Sequence, residues 1–337
     1  MQKLNLAIIG SGPAGLTAGI YTSRARIETT LFSGMEIGGQ LMYTSEIENF
    51  PGFPDGKSGP LLMTDLQKQA ARFGTNIKFE LITAVDFSKK PFALWTNLPS
   101  GVDHNSFKAL RGEELIEAMN EIKKSEPAYI ADAIIVATGA SSITLGVPGE
   151  KEYFGHGVST CAVCDAAFYG DKSVHVIGGG DSAMEDAMAL TKFAKEVTII
   201  HRGESFRASK IMQERVLNNS KIKVLWNTNL KEIYGDGKTV KEVLLENNSQ
   251  MQKLPTQGVF LAIGHKPNTS LFQDQLKLDK AGYVELVAHE TYETATSIDG
   301  VFVAGDVADH RYRQAIISAG SGAKAAMDVE HYLINHV

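Results

Sequence analysis

The chain has 337 residues, 43% of them hydrophobic and 32 of them glycine, which is enough for about two domains. A formal net charge of -6 without a basic run argues against nucleic acid or an anionic membrane surface as a partner. The apolar stretches are too short to cross a bilayer, and one C-x-x-C motif holds both cysteines, unlike a secreted disulfide scaffold. We therefore expect a cytoplasmic enzyme that binds no membrane.

A dinucleotide-binding pattern stands near the start of the chain. Leu4 to Ile9 has the pattern of a buried strand and runs directly into Gly10-Ser11-Gly12-Pro13-Ala14-Gly15, so we interpret it as a strand rather than a signal peptide. A helical run to about Arg24 follows, and the glycines let a pyrophosphate approach its N-terminus. The next strand, Thr29 to Phe32, lacks the usual terminal acid. Glu36 is either its substitute or a solvated loop acid.

Two segments rich in glycine, proline and amides come next, Gly38 to Leu41 and Glu48 to Pro54, and we expect both to be ordered loops. The amides of Gln40 and Asn49 either meet the polar edge of a flavin or tie the loops to their own backbone. Leu61 to Phe73 then reads as an amphipathic helix.

A helical pattern interrupts the strands that follow. Arg111 to Lys124 has early acids, late lysines and four apolar residues at helical spacing, Leu115, Ile116, Met119 and Ile122. It is either a surface insertion packed through this stripe or a site for docking a partner. A strand resumes at Ala133 to Ala137, and Pro148-Gly149 suggests a crossing between domains.

The two cysteines form the motif Cys161-Ala162-Val163-Cys164-Asp165, preceded by the helix-capping residues Ser159 and Thr160. If they open a helix, its N-terminal end favours a thiolate and hence thiol–disulfide exchange. A zinc site would need two further ligands at a suitable spacing, so we expect no metal. Asp165 is either a general acid for the exchange or an ordinary acid of a first helical turn.

A second dinucleotide-binding pattern, Gly178-Gly179-Gly180-Asp181-Ser182-Ala183, follows the predicted strand Ser173 to Ile177 and opens a helix to about Phe193. Two such patterns indicate two nucleotide cofactors. The next strand, Glu196 to Ile200, ends in His201-Arg202, with Arg207 nearby. Cations in place of an acid favour a 2'-phosphate and hence NADPH, unless the segment is only a solvated basic loop.

The C-terminal part adds a strand at Val259 to Ile263, a turn at Gly264 to Asn268, and a strand from Val301 that ends in Gly305-Asp306. A small-residue helix then opens at Arg313-Gln314-Ala315 and runs to about Leu333. An acid at such a strand end can hold a ribitol hydroxyl, and a helix N-terminus favours negative charge on a reduced flavin ring.

In this order and spacing the motifs resemble those of the low-molecular-weight thioredoxin reductases, flavoprotein disulfide oxidoreductases of bacteria, fungi and plants. The motifs that carry the resemblance are Gly10 to Gly15, Gly38 to Leu41, Glu48 to Pro54, Ala137 to Ala140, Cys161 to Asp165, Gly178 to Ala183, Phe206 to Met212, Gly264 to Asn268, Gly305-Asp306 and Gln314-Ala315.

The resemblance implies an α/β fold with two Rossmann-like dinucleotide-binding domains of the three-layer ββα type. A split FAD domain would cover residues 1–142 and 256–337, with a helical insertion near 101–128. An NADPH domain at 143–255 would carry the cysteines and rotate against it. Electrons would pass from NADPH through FAD to the cysteine pair and then to thioredoxin, in a homodimer.

The resemblance also implies residue roles. Cys164 would lie beside the flavin, Cys161 would attack thioredoxin, and Asp165 would be the acid. The FAD contacts would be Gly10, Gly12, Pro13, Ala14, Gly15, Glu36, Gly39, Gln40, Leu41, Asn49, Ala137, Thr138, Gly139, Gly305, Asp306, Arg313, Gln314 and Ala315. The NADPH contacts would be Gly178, Gly180, Asp181, Ser182, Ala183, His201, Arg202, Arg207, Ile263 and Gly264.

The chain departs from the family pattern in three places. Gly203 stands where a second arginine is usual, which weakens the expected preference for NADPH. Ala166 replaces a usual glycine, and the helical insertion is not a family feature. Two other functions stay open, reduction of another small dithiol protein and oxidation of a small dithiol by oxygen. The intact second nucleotide pattern argues against the oxidase.

Overall fold

The computed structural model describes residues 1–44 and 46–336. The predicted FAD-domain ranges also include Ser45 and Val337, which lie outside the described residues. The strands, in chain order, are β1 (Gln2–Ile9), β2 (Thr29–Phe32), β3 (Asn76–Lys78), β4 (Ala84–Asp86), β5 (Phe92–Trp95), β6 (Tyr129–Val136), β7 (Ala140–Ser142), β8 (Val158–Ser159), β9 (Ser173–Ile177), β10 (Glu196–Ile200), β11 (Ile222–Leu225), β12 (Thr228–Gly235), β13 (Val240–Asn247), β14 (Gln250–Pro255), β15 (Gly258–Leu261), β16 (His265–Pro267) and β17 (Val301–Val303).

The α-helices, except for those at residues 104–109 and 210–217, begin and end close to where the sequence patterns place them. They are α1 (Pro13–Arg24), α2 (Gly59–Phe73), α3 (His104–Ala109), α4 (Gly112–Ile122), α5 (Ala162–Asp165), α6 (Asp181–Leu190), α7 (Lys210–Leu217) and α8 (Ala315–His336). Short 3-10 helices lie at Gly39–Tyr43, Ala166–Tyr169 and Ser270–Phe272. The first of them corrects the expectation that Gly38 to Leu41 forms an ordered loop without a regular element.

The first sheet contains the N-terminal strands and one strand from the C-terminal part. Its order is β3-β2-β1-β6-β5-β4, with β17 paired to β6. The strand β1 pairs in parallel with β2 and β6, and it is buried from Leu6 to Ile9 because the sheet is covered on both faces. On one face the helices α1 and α8 cross closely, since a side chain on Gly322 would meet the carbonyl oxygen of Ala14 at 2.1 Å.

The second sheet contains the strands on either side of the second glycine motif. Its order is β11-β10-β9-β15-β8, and all of its pairings are parallel. The helix α6 packs on it through Ala183, Met184, Ala187 and Leu190, which belong to one buried apolar cluster. A separate antiparallel sheet, β12-β13-β14, packs its buried residues against the other face. The predicted α/β fold class with two Rossmann-like units is confirmed. In the first unit the antiparallel strands β4 and β5 extend the main sheet and do not form a sheet of their own.

Two connections link the sheets. The strands β7 and β16 pair antiparallel, with Ala140 opposite Pro267 and Ser142 opposite His265. The first crossing follows β7, and the domain boundary at 142 stays a prediction. The return crossing does not lie at the predicted position 256, because β15 is a central strand of the second sheet, between β9 and β8. The sheet pairing places the return near Gly264.

The helical insertion lies between the neighbouring strands β5 and β6. The helix α4 buries Leu115, Met119 and Ile122 against Trp95 and Phe107, so the apolar stripe packs onto the first sheet as the first of the two interpretations expected. The preceding helix α3 was not predicted. Its N-cap is Asp103, whose carboxylate accepts a hydrogen bond from the backbone N–H of Ser106 at 2.7 Å.

Candidate active site

A cavity of about 910 Å³ is lined both by the first glycine motif and by the two cysteines. Most of the predicted FAD contacts line it, namely Gly10, Gly12, Pro13, Ala14, Glu36, Gly39, Gln40, Leu41, Ala137, Thr138, Gly139, Gly305, Asp306, Arg313, Gln314 and Ala315. The chain thus brings residues from both of its ends to one cleft, with the redox motif as part of the wall.

The first glycine motif has the shape that a pyrophosphate needs. A Cβ on Gly10 would lie 2.2 Å from the carbonyl oxygen of Ala137, and one on Gly15 would lie 2.0 Å from the carbonyl oxygen of Gly10. Side chains are therefore excluded where the strand, the turn and α1 pack together. At Gly12, which precedes α1 at the cavity wall, a Cβ would meet no protein atom within 4 Å. A phosphate group fits there, against the N-terminus of α1.

The acid at the end of β17 is fixed by the C-terminal helix. The hydroxyl of Ser318 donates a hydrogen bond to Oδ1 of Asp306 at 2.6 Å, and both residues line the cavity. Burial raises the pKa of Asp306, while the hydrogen bond from Ser318 opposes the increase. The carboxylate is held where it can accept a hydrogen bond from a hydroxyl group of a ligand in the cavity, and the ribitol contact stays a prediction.

A chain of amides leads from a loop of the first sheet to the cysteines. The carboxylate of Asp309 accepts hydrogen bonds from the backbone N–H groups of Arg311, Tyr312 and Arg313, which shapes the loop before α8. Within the chain of amides, Asn49 Nδ2 donates to Gln314 Oε1 at 3.2 Å, and Gln314 Nε2 lies 4.0 Å from Cys161 Sγ. Asn49 therefore supports the site through Gln314 rather than lining the cavity.

Cys161 and Cys164 form a disulfide bond. The helix α5 that follows Cys161 has only four residues, and its N-cap is Cys161 itself, not Ser159 or Thr160 as predicted. The backbone N–H of Cys164 points at Cys161 Sγ, 3.2 Å away, while Ser159 Oγ accepts from the backbone N–H of Cys161 at 3.0 Å. After reduction the same N–H would stabilise a thiolate on Cys161.

Two carboxyl groups lie near the disulfide. Asp165 directly follows Cys164 in the sequence, and Asp186 contacts the backbone between the two cysteines. Burial raises the pKa of Asp165, and a hydrogen bond with Ser159 opposes this increase. Burial also raises the pKa of Asp186 to about 7. Asp186 stands on α6 and accepts a hydrogen bond from the backbone N–H of Ala162. Asp186 can therefore hold a proton near neutral pH, where exchange chemistry needs one, and burial shifts the pKa of Asp165 in the same direction.

The second glycine motif repeats the geometry of the first. A Cβ on Gly178 would lie 2.4 Å from the carbonyl oxygen of Ala262 and 2.8 Å from the Cβ of Ala183, so this position accepts only glycine. A Cβ on Gly180 would meet nothing within 4 Å, as at Gly12. Asp181, the first residue of α6, accepts hydrogen bonds from Ser209 N at 2.9 Å and Ser209 Oγ at 2.8 Å. These two bonds lower the pKa of Asp181.

The basic segment after β10 folds onto this second motif. The backbone N–H of Arg207 donates to the carbonyl oxygen of Gly179 at 2.8 Å, and the side chains of Arg202 and Arg207 are exposed. His201 is buried beneath the turn instead, with Nδ1 3.1 Å from Gly178 O and Nε2 3.0 Å from Ser205 O. The arginines can reach a phosphate on this surface, whereas the His201 ring is engaged by the protein backbone.

Two dinucleotide turns and a disulfide in one chain are typical of a nucleotide-dependent disulfide oxidoreductase, and comparisons with known proteins agree with that interpretation. The sequence profile of the pyridine nucleotide-disulphide oxidoreductases matches residues 4–322. The chain belongs to this family. It is 46% identical to a thioredoxin reductase of Debaryomyces hansenii, over 99% of this chain and 98% of the relative. A glucosaminate ammonia-lyase of Pseudomonas fluorescens is 44% identical, over 99% of this chain and 97% of its own.

A solved family structure has the same arrangement. The thioredoxin reductase from Giardia duodenalis superposes with a TM-score of 0.84 at 41% identity, covering 99% of this chain and all (100%) of its own. Within residues 1–44 and 46–336, no helix combines the length and apolarity that a membrane crossing requires.

The structure of this oxidoreductase separates the predicted nicotinamide contacts from the cleft. Only Ser182 and Gly264 of that set line the cavity, and the side chain of Ile263 packs against the apolar cluster beside the second sheet. Several cavity residues were not predicted from the sequence, among them Asp186, Ser318 and Phe107. For Asp186 the available signal was an acid in the second turn of a helix that starts at a nucleotide motif.

Proposed function

We propose that the protein is a thioredoxin reductase that carries two electrons from NADPH to a disulfide of thioredoxin. When bound, FAD would accept a hydride from NADPH and deliver two electrons to the Cys161–Cys164 disulfide. The observation that carries the proposal is that this disulfide lines the same cavity as the first dinucleotide turn, with Gln314 Nε2 4.0 Å from Cys161 Sγ. Thioredoxin itself, the homodimer and the cytoplasmic location remain predictions.

Different residues of the chain would bind FAD and NADPH. Gly10, Gly12 and the N-terminus of α1 would hold the pyrophosphate of FAD, and Asp306 would accept a hydrogen bond from the ribitol. Gly180, with Arg202 and Arg207, would bind NADPH, with the arginines at its 2'-phosphate.

Reduction breaks the S–S bond with two electrons and two protons to give two thiols, after which the Cys161 thiol gives up its proton. The resulting Cys161 thiolate, stabilised by the N–H of Cys164, would attack one sulfur of the thioredoxin disulfide and form a mixed disulfide. Cys164 would then attack Cys161 Sγ, which restores the original S–S bond and releases the second thioredoxin sulfur as the leaving group. Asp165 would supply a proton to a departing thiolate. The overall result is NADPH, H⁺ and oxidised thioredoxin giving NADP⁺ and reduced thioredoxin.

The test is anaerobic mixing of the purified protein with NADPH or NADH, followed by oxidised thioredoxin, while the flavin absorbance is recorded. We expect NADPH to bleach the flavin rapidly and thioredoxin to restore its colour. The Cys161→Ser/Cys164→Ser variant should still bleach but should not be reoxidised by thioredoxin. If neither nucleotide bleaches the wild type, it is no reductase; if bleaching occurs but thioredoxin has no effect, another dithiol protein is the substrate.

A further inference from the structure

The helical insertion forms part of the wall of the flavin cavity. Residues from α3, α4 and the turn between them line the same space as the first glycine motif: Phe107, Lys108, Leu110, Arg111 and Leu115. The insertion therefore does more than cover the first sheet.

The contacts of the insertion place it at one particular end of the cavity. In dinucleotide-binding folds the chain just after the second strand meets the adenosine ribose. Here that position holds Glu36, whose Oε1 lies 3.7 Å from Lys108 Nζ. Its other oxygen accepts a hydrogen bond from the hydroxyl of Tyr43 at 3.1 Å. The insertion thus meets the adenosine end of the cavity, where Lys108 and Tyr43 hold the Glu36 carboxylate from two sides.

Buried apolar side chains hold the insertion in place. The side chains of Phe107, Leu115 and Met119 are each no more than 7% exposed, and they pack in a cluster with Trp95. The turn between α3 and α4 is closed by Arg111, whose guanidinium donates to the carbonyl oxygen of Leu110 at 2.6 Å. A wall held in this way can restrict a ligand that lies against it.

We propose that the insertion completes the adenosine subsite of FAD and slows release of the cofactor, with Leu110 as an apolar wall and Lys108 as the residue that positions Glu36. The inference rests on the proposed function, because it takes FAD as the dinucleotide of the first motif. Lys108 is exposed and Leu110 is only partly buried, so both can be replaced without opening the core.

The test is the rate at which the holoenzyme loses flavin. Wild type, Lys108→Glu, Leu110→Ala and the double variant are diluted and filtered at intervals, and flavin in the filtrate is measured. We expect release about fivefold faster for each single variant, from loss of an exposed ion pair or of part of an apolar contact. The matched control is Lys124→Glu, the same charge reversal on an exposed residue of the insertion that does not line the cavity.

The outcomes separate this inference from the proposed function. Thermal unfolding of each variant checks that the fold is kept. If Lys108→Glu and Leu110→Ala release flavin at the wild-type rate, or Lys124→Glu accelerates release as much as they do, the inference is wrong while thioredoxin reduction by the wild type stands. A wild-type protein that carries no FAD would overturn both, and one that retains FAD but does not reduce thioredoxin would overturn the function alone.

Discussion

Asp186 Oδ1 lies 3.3 Å from the backbone nitrogen of Ala162, which donates a hydrogen bond to it. This contact joins the helix of the second nucleotide motif to the segment between the two cysteines. The Asp186 carboxyl group and the disulfide line the same cavity, so Asp186 gains or loses its proton close to the redox centre.

The pH dependence of stability should report on Asp186. Burial raises its pKa from 3.8 to about 7 in the folded chain, so its favourable contribution is complete below about pH 4 and is lost as the pH rises through 7. Asp186→Asn removes this titration while keeping an acceptor for Ala162. Between pH 5 and pH 8 the wild type should lose about 2 to 3 kcal/mol more unfolding free energy than the variant, in urea titrations of the holoenzyme. Equal losses in the two proteins would contradict the raised pKa.

Asp165→Asn should slow the transfer to thioredoxin by about a hundredfold, because a positioned general acid typically contributes 10²–10⁴-fold. Bleaching of the flavin by NADPH should keep its wild-type rate, since that step precedes the disulfide. Stopped-flow absorbance measures both steps in one experiment. Asp165→Glu, which retains a carboxyl group, should recover part of the loss. A thioredoxin step within twofold of wild type in Asp165→Asn would show that the residue is only a first-turn acid.

Gly203→Arg should strengthen the preference for NADPH. The added guanidinium would stand beside Arg202 and contribute a charge-assisted contact, about tenfold in KM for NADPH, with little change for NADH. Its Cβ would lie 3.2 Å from His201 Nε2, which is a tight but not prohibitive contact. Gly203→Ala is the control for that contact, and the KM ratio of the two nucleotides is the measurement. If Gly203→Ala changes the ratio as much as Gly203→Arg, charge is not the cause.

Two glycines of the first motif should fail in different ways when changed to alanine. Gly12→Ala should fold normally but hold less flavin, because its methyl group would enter the space proposed for the pyrophosphate. Gly10→Ala should destabilise the fold by several kcal/mol, since φ is +118° there and the methyl group would strike the Ala137 carbonyl. Flavin content per protein and the thermal midpoint distinguish the two. An unchanged flavin content in Gly12→Ala would contradict the proposed cofactor position.

The elements beside the glycine motifs were predicted almost to the residue. The strands β2, β9 and β10 begin and end where the sequence placed them, because each is a short apolar run with polar or glycine residues on both sides, which leaves little choice of boundary. The helix α3 was missed because six residues around a single buried Phe107 carry no periodic signal. The return crossing was placed too early because β15 belongs to a sheet whose other strands lie far away in sequence.

At the site, contacts between residues that are far apart in the sequence could not be predicted. The sequence identified amides, acids and cysteines as candidate site residues, since their motifs are local. It did not indicate that Ser318 would hold Asp306, that Asn49 would act through Gln314, or that Lys108 would reach Glu36. Each of these pairs depends on how the two sheets and the insertion are packed, which no local pattern encodes.

The pairing of β7 with β16 bears on how such a protein could arise. The segment between Ser142 and His265 leaves the small two-stranded sheet of β7 and β16 and returns to it at two residues that face each other in register. Closing the chain without that segment would need only a short turn, and the entropic cost of such a connection is small. The second nucleotide-binding unit, with its cysteines, could therefore be gained, lost or exchanged as one continuous stretch of gene without breaking the fold that receives it.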